Sequence, residues 1–417
     1  MEKYKIIGSH PLSGEIKVSG AKNAALKILA ASVLSKDTCQ INNIPQIEDI
    51  KRMTEILESL GAKLLWHDST LTIDPSGITK SIPDQQLIKK LRSSIVLAGP
   101  LLARFGEVTM SHPGGCIIGK RPIDLFLSGF KALGAEIFDH GESFTLKAKK
   151  LTGAKIVLPK VSVTVTESLM MTACLAQGTT TIINSAMEPE IPALAQYLNK
   201  CGAKITGAGT PQIIIEGVDG LSAGIYELMP DRIEACSFVM MGLATGSKIK
   251  VTDCRPEHLE TVLAILKNAG ADLEIGPDYI TTKTSYLRGT EIQTHEYPGF
   301  PTDLQAPFTV LMTQANGRSL IHETIFDGRL FYTDKLNAMG ADIIMCDPHR
   351  VIVSGKTKLN GKKLESPDLR AGMALIIAGL CAEGETTIDN IYQIERGYEN
   401  IVPRLRAIGA KIEKIKD

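Results

Sequence analysis

The sequence carries no net charge: Lys plus Arg and Asp plus Glu both number 46 in 417 residues. That balance excludes a general electrostatic attraction to nucleic acid or to anionic membranes, so any anion site must be local. Also missing is any apolar run near the roughly 18 residues of a membrane span. The start, Met1-Glu-Lys-Tyr-Lys-Ile-Ile-Gly8, has no long apolar core of a secretory signal. A cytoplasmic location is the expectation. The eight cysteines form no CxxC pair and the eight histidines no HxxxH spacing, so neither a disulfide framework nor a metal site is expected. What remains is an ordinary globular balance, 44% apolar and 22% charged, in a chain long enough for about two to three domains.

One thiol stands apart from Cys174, Cys236 and Cys381, which lie in apolar stretches and read as core. Cys116 sits between Pro113-Gly-Gly and Ile117-Ile-Gly-Lys-Arg-Pro122, turn signals that exclude a regular helix or strand. Lys120 and Arg121 follow four and five residues later. A positive field lowers a thiol pKa from its free value of about 8.5, which turns this loop cysteine into a candidate proton donor or nucleophile.

A tetrad Gly-Ala-charged-Ile/Leu, preceded by an apolar residue or Cys, recurs with its Gly at 61, 134, 202, 270, 340 and 409; a further match at Gly153 is off register and follows Thr152. Helical periodicity precedes each Gly, which reads as the residue just past a helix end, and the charged residue then starts a strand. Upstream, Gly106, Gly178, Gly246, Gly317 and Gly384 each open a short strand, and Asp37 stands in the first case. Before these lie six mostly apolar helices, at 21–35, 92–105, 163–177, 232–245, 303–316 and 369–383. The sequence therefore reads as six α/β units with a period too long for a solenoid, assembled three at a time into two domains.

Polar groups gather at the starts of the apolar helices: Lys22 and Asn23, Arg92, Ser162, Asp231 and Arg232, Asp303, and Asp368 with Arg370. Most Asp and Ser residues at such places are caps. Lys and Arg oppose the helix dipole there and suggest an anionic ligand instead. For Asp303, after Pro301, capping and a carboxylate held for function are equally open. Arg396 is expected in the turn after a strand, beside Gly397.

Gly20-Ala-Lys-Asn-Ala-Ala-Leu26, Leu91-Arg-Ser-Ser94, Pro113-Gly-Gly-Cys-Ile-Ile-Gly-Lys-Arg-Pro-Ile-Asp124, Lys160-Val-Ser-Val163, Glu188-Pro-Glu-Ile191, Pro230-Asp-Arg-Ile-Glu234, Phe300-Pro-Thr-Asp-Leu-Gln305, Glu323-Thr-Ile-Phe326, Asp368-Leu-Arg370 and Arg396-Gly-Tyr-Glu399 run the length of the chain. Together they resemble the enolpyruvyl transferase family, in its UDP-N-acetylglucosamine 1-carboxyvinyltransferase members. The resemblance implies an α/β fold of two inside-out barrel domains, each of three βαβαββ repeats. One would span 22–229 with the Cys116 lid loop, and the other 1–21 with 230–417, carrying Asp303, Asp368, Arg370 and Arg396. It implies transfer of the enolpyruvyl group of phosphoenolpyruvate to the 3′-hydroxyl of UDP-N-acetylglucosamine, with no metal or organic cofactor and no nucleic-acid or membrane partner.

By the same resemblance Cys116 protonates C3 of phosphoenolpyruvate, Asp303 accepts the hydroxyl proton, and Lys22, Arg121 and Arg396 hold phosphate and carboxylate. Asn23, Arg92, Pro122, Ile123, Asp124, Leu125, Lys160, Val161, Ser162, Val163, Ile325, Arg329, Asp368, Leu369 and Arg370 match positions lining the substrates. The chain departs from the family at Phe126, where a histidine is expected, and at Ile117, where a smaller residue is. Two rival readings are a shikimate 3-phosphate enolpyruvyl transferase and a non-catalytic UDP-N-acetylglucosamine sensor. No shikimate-type Gly-Asn-Ala-Gly-Thr-Ala motif is present, and a sensor needs neither Cys116 nor Asp303.

Overall fold

Residues 2–114 and 122–416 are described by a computed structural model. They divide into two compact units, one of residues 2–19 with 230–416, the other of residues 20–114 with 122–229. Each unit has its own continuous hydrophobic core and three separate sheets.

All six expected repeats are present, and five share one sheet pattern: two antiparallel pairings extended by a parallel edge strand. In the third repeat, for example, Thr179–Ile183 pairs antiparallel with Gln212–Glu216, which pairs with Lys204–Thr206, while Lys155–Val157 joins in parallel. The second repeat's sheet has three strands, Glu107–Ser111, Ser143–Lys147 and Glu136–Asp139. Chain order is broken in the sixth: Glu2–Ile7, from the N-terminus, lies between Glu385–Asp389 and Lys411–Lys416.

The recurring Gly-Ala has one physical cause. Gly61 has φ +114°, a left-handed conformation that costs a side chain but not glycine. It lets the helix Glu48–Leu60 end in a Schellman motif, with Gly61 N donating to Glu58 O at 2.9 Å and Ala62 N to Leu57 O at 3.0 Å. The bond from Ala to the residue five back recurs at 3.0 Å at Ala135, Ala203, Ala271, Ala341 and Ala410. A strand starts at the charged residue in every repeat except the fourth, where Leu273–Ile275 begins one residue after Asp272.

The apolar helices lie inside and the sheets outside. In the helix Arg232–Ala244 every residue is buried, and the same holds for Gln305–Thr313. Such all-round burial explains why these stretches lack a polar face. A second repeat-wide device left little trace in the sequence. Asn43, Asn184 and Asn390 sit at positive φ after their strands, and each side-chain amide donates to a backbone carbonyl beyond the parallel edge strand, at Leu228, Leu158 and Ser366 respectively. A polar turn residue thereby ties each of these sheets to the strand from elsewhere in the chain.

Candidate active site

In the unit of residues 2–19 and 230–416, Asp303 lies in a turn of 3-10 helix, Thr302–Leu304, leading into Gln305–Thr313. Its side chain caps nothing there, which decides against the capping reading. Instead it meets two guanidiniums: Arg329 Nη2 donates to Oδ1 at 2.8 Å, and Arg370 donates to Oδ2 from Nη2 at 2.8 Å and from Nε at 3.0 Å. The side chains of Arg329 and Arg370 are each 4% exposed, whereas that of Asp303 is 27% exposed. One end of this cluster is thus sealed and the carboxylate end is open.

Behind it, Arg370 Nη1 donates to the Tyr398 hydroxyl at 3.3 Å. Burial is the largest influence and works against the Arg370 charge, but Asp303, Tyr398 and Asp231 together outweigh it and raise its pKa. Burial also raises the Tyr398 pKa, with Arg370 opposing. Tyr398 is therefore a neutral phenol between Arg370 and Ser237, whose Oγ lies 3.4 Å away. Asp368 is a cap: its Oδ1 accepts from Arg370 N and Ala371 N at 2.8 and 3.0 Å. Asp231 caps its helix in the same way, accepting from Ile233 N and Glu234 N.

Arg396 follows a four-residue helix, Tyr392–Glu395, and donates to Gln393 Oε1 at 3.0 Å. This short helix stands between the strand and Arg396, where the sequence suggested a turn. Gly397 packs closely on Leu369, whose Cδ2 would lie 2.7 Å from a Cβ there, which joins the Arg396 turn to the Asp368-Leu369-Arg370 segment. Ile325 is half-buried two residues beyond Glu323.

In the unit of residues 20–114 and 122–229, Lys22 opens the helix Lys22–Ala31 and its Nζ lies 3.1 Å from Asp49 Oδ2, both side chains largely buried. Asn23 is half-buried beside it. Arg92 Nη1 donates to Pro113 O at 3.2 Å, docking the front of the Cys116 loop. Gly114 is equally fixed, since a Cβ would lie 2.2 Å from Lys89 O. Cys116, Ile117, Lys120 and Arg121 lie outside the described residues. Beyond them, Pro122 and Asp124 are exposed, Ile123 is buried and Leu125 half-buried at the start of the helix Asp124–Ala132. Phe126 is 5% exposed and belongs to the core of its unit. Lys160 is exposed, while Val161, Ser162 and Val163 are half-buried where the helix Val163–Ala173 begins; Ser162 makes no side-chain cap bond.

Three partners of the candidate site residues escaped the sequence reading. Asp49, the partner of Lys22, sits in an ordinary helical first turn with no local signal. Tyr398 and Glu323 lie within quoted motifs, but only packing reveals what they touch. No group of three or more His, Cys, Asp or Glu able to hold a metal occurs among the described residues, and none of their helices is long and apolar enough to cross a membrane.

Residues 6–405 match the family model for EPSP synthase (3-phosphoshikimate 1-carboxyvinyltransferase). A protein of Carboxydothermus hydrogenoformans named UDP-N-acetylglucosamine 1-carboxyvinyltransferase 1 is 46% identical over 416 residues, 100% of this chain and 99% of the relative. One of Desulforapulum autotrophicum, named UDP-N-acetylglucosamine 1-carboxyvinyltransferase, is 45% identical over 417 residues, all of both chains. The crystal structure of the enolpyruvyl transferase NikO from Streptomyces tendae has the same fold, with a TM-score of 0.91 at 24% identity over 100% of this chain and 99% of that one. EPSP synthase from Acinetobacter baumannii superposes with a TM-score of 0.76 at 19% identity over all of both chains. The six repeats, the Asp303 cluster and this end-to-end likeness have one reading: the chain belongs to the EPSP synthase family, among its UDP-N-acetylglucosamine 1-carboxyvinyltransferases.

Proposed function

We infer that this chain transfers the enolpyruvyl group of phosphoenolpyruvate to the 3′-hydroxyl of UDP-N-acetylglucosamine, releasing phosphate, the first committed step of peptidoglycan synthesis. The observation that carries it is the likeness to enzymes of that name at 45 and 46% identity from end to end.

Moving the group intact requires the acceptor oxygen to bond to C2 while a proton adds to C3; loss of that proton and of phosphate then restores the double bond. We assign the C3 proton to Cys116, on the strength of its loop and the Lys120 and Arg121 field. Asp303 receives the acceptor hydroxyl. Two buried guanidiniums hold and aim its carboxylate, an arrangement that favours accepting a hydrogen bond. The same pairing weakens Asp303 as a base, so the proton moves to it as the new C–O bond forms. Lys22, Arg121 and Arg396 hold the phosphate and carboxylate of phosphoenolpyruvate, and the remaining residues of the resemblance line the nucleotide sugar. A cytoplasmic location fits the seven described cysteines, which are free thiols and five of them buried.

Phosphate release from phosphoenolpyruvate, without added metal, is measured with UDP-N-acetylglucosamine and separately with shikimate 3-phosphate. Release only with the nucleotide sugar is expected. Release only with shikimate 3-phosphate transfers the assignment to the sister reaction, and release with neither by protein that binds UDP-N-acetylglucosamine marks a sensor. Fosfomycin with the nucleotide sugar should leave a mass adduct on the Cys116 peptide; an unmodified peptide removes Cys116 from its assigned role.

A further inference from the structure

Glu323 is fully buried, 0% exposed, at the end of the strand Gly317–His322. Its carboxylate accepts four hydrogen bonds. Oε1 takes Thr294 Oγ1 at 3.1 Å, Ile325 N at 2.8 Å and Phe326 N at 3.2 Å, and Oε2 takes Thr302 Oγ1 at 2.8 Å. The two backbone N–H groups can only donate and fix an acceptor at Oε1, while the Thr294 and Thr302 hydroxyls complete the set.

What those donors belong to gives Glu323 its meaning. Thr302 is the residue before Asp303. Phe326 O in turn accepts from Arg329 N at 3.2 Å, and the Arg329 guanidinium holds Asp303 Oδ1 at 2.8 Å. The contacts close a ring: Glu323 to Thr302, along the chain to Asp303, across to Arg329, back through Phe326 to Glu323. One buried carboxylate grips both ends of an ion pair whose carboxylate is the more open partner.

We propose that Glu323 is a positioning residue for the transfer reaction: through Thr302 and the Phe326 turn it sets the direction of the Asp303 carboxylate toward the acceptor hydroxyl. This rests on the assignment of Asp303 above. Arg329 and Arg370 bond the carboxylate directly. Glu323 governs where the oxygens point, and a displacement of about 1 Å at a reacting group is enough to cost up to about a hundredfold in rate.

The test uses the full chain and compares Thr302→Val, which keeps the shape and deletes the donor, with Thr302→Ser, which keeps the donor. Thr302→Val should lower kcat about tenfold while the KM for UDP-N-acetylglucosamine stays within about twofold, and Thr302→Ser should recover most of the loss. Circular dichroism and the melting temperature verify that both variants are folded at the assay temperature. Thr302→Ala, which also deletes the donor, should show the same split and serves if Thr302→Val does not fold. Asp303→Asn is run alongside. A Thr302→Val enzyme with wild-type kcat, beside an inactive Asp303→Asn, overturns the role of Glu323 and leaves that of Asp303 standing. A loss that Thr302→Ser fails to recover also overturns it. An active Asp303→Asn removes both.

Discussion

Asp303 and Glu167 are carboxylates near inner helices of different units, and they are held in opposite ways. Asp303 receives three directed bonds from two guanidinium forks. Glu167, wholly buried in the helix Val163–Ala173, faces Lys27 Nζ at 3.2 Å, yet neither of its oxygens accepts a well-formed hydrogen bond. Burial pushes its pKa up from an ordinary 4.5 to about 7; Lys27 pulls it back, and Glu190 and Glu188 push it further up. A planar fork offers a carboxylate parallel donors, and an ammonium is only a point charge. The difference separates a carboxylate held by directed bonds from one that burial leaves to titrate near neutral pH, and burial alone does not make a charged group functional.

The sharpest break of this comparison is Asp303→Ala. Phosphate release should fall about a thousandfold or more, the scale of a lost proton acceptor, while UDP-N-acetylglucosamine still binds by calorimetry; wild-type turnover would put Asp303 outside the mechanism. Arg370→Lys keeps the charge and destroys the fork, so kcat should drop up to about a hundredfold. A rate within twofold of wild type would show that charge suffices there.

The Glu167 side of the comparison is a matter of stability. A folded-state pKa above the unfolded value means stability that is present below about pH 4.5 and lost as pH climbs to about 7. Lys27→Met removes the group that holds this pKa down, so the loss continues to higher pH. Urea denaturation should show a deficit of about 3 kcal/mol near pH 8, shrinking toward none near pH 5, where Glu167 is protonated. A deficit independent of pH would mean that Lys27 acts by packing. Tyr398→Phe, which deletes one 3.3 Å bond to Arg370, is the mildest change, expected to cost about 1 kcal/mol and to lower kcat only a few-fold.

Repetition made the fold legible. The Gly-Ala tetrads announced six Schellman ends because a left-handed residue there admits little but glycine. The Asn43, Asn184 and Asn390 ties went unseen, since an Asn after a strand signals a turn and not the distant carbonyl it will reach. Within the candidate site, Asp303 and Arg370 were recognisable as polar groups at apolar helix starts. Their bond was not, because 67 residues separate them. Asp368, quoted for function, also has a local role, its Oδ1 capping the helix Leu369–Cys381.

The sequence by itself determined the number of repeats, the six mostly apolar helices and the residue types available for chemistry, because helix ends, periodicity and turns are local properties of the chain. Tertiary structure alone decided which charges meet: Lys22 with Asp49, Glu167 with Lys27, Asp303 with Arg329 and Arg370, and Glu323 with Thr302. The physical reason is that pairing energy depends on distance, direction and burial. None of those three is defined until the segments that carry the partners, within a repeat or between repeats, have packed together.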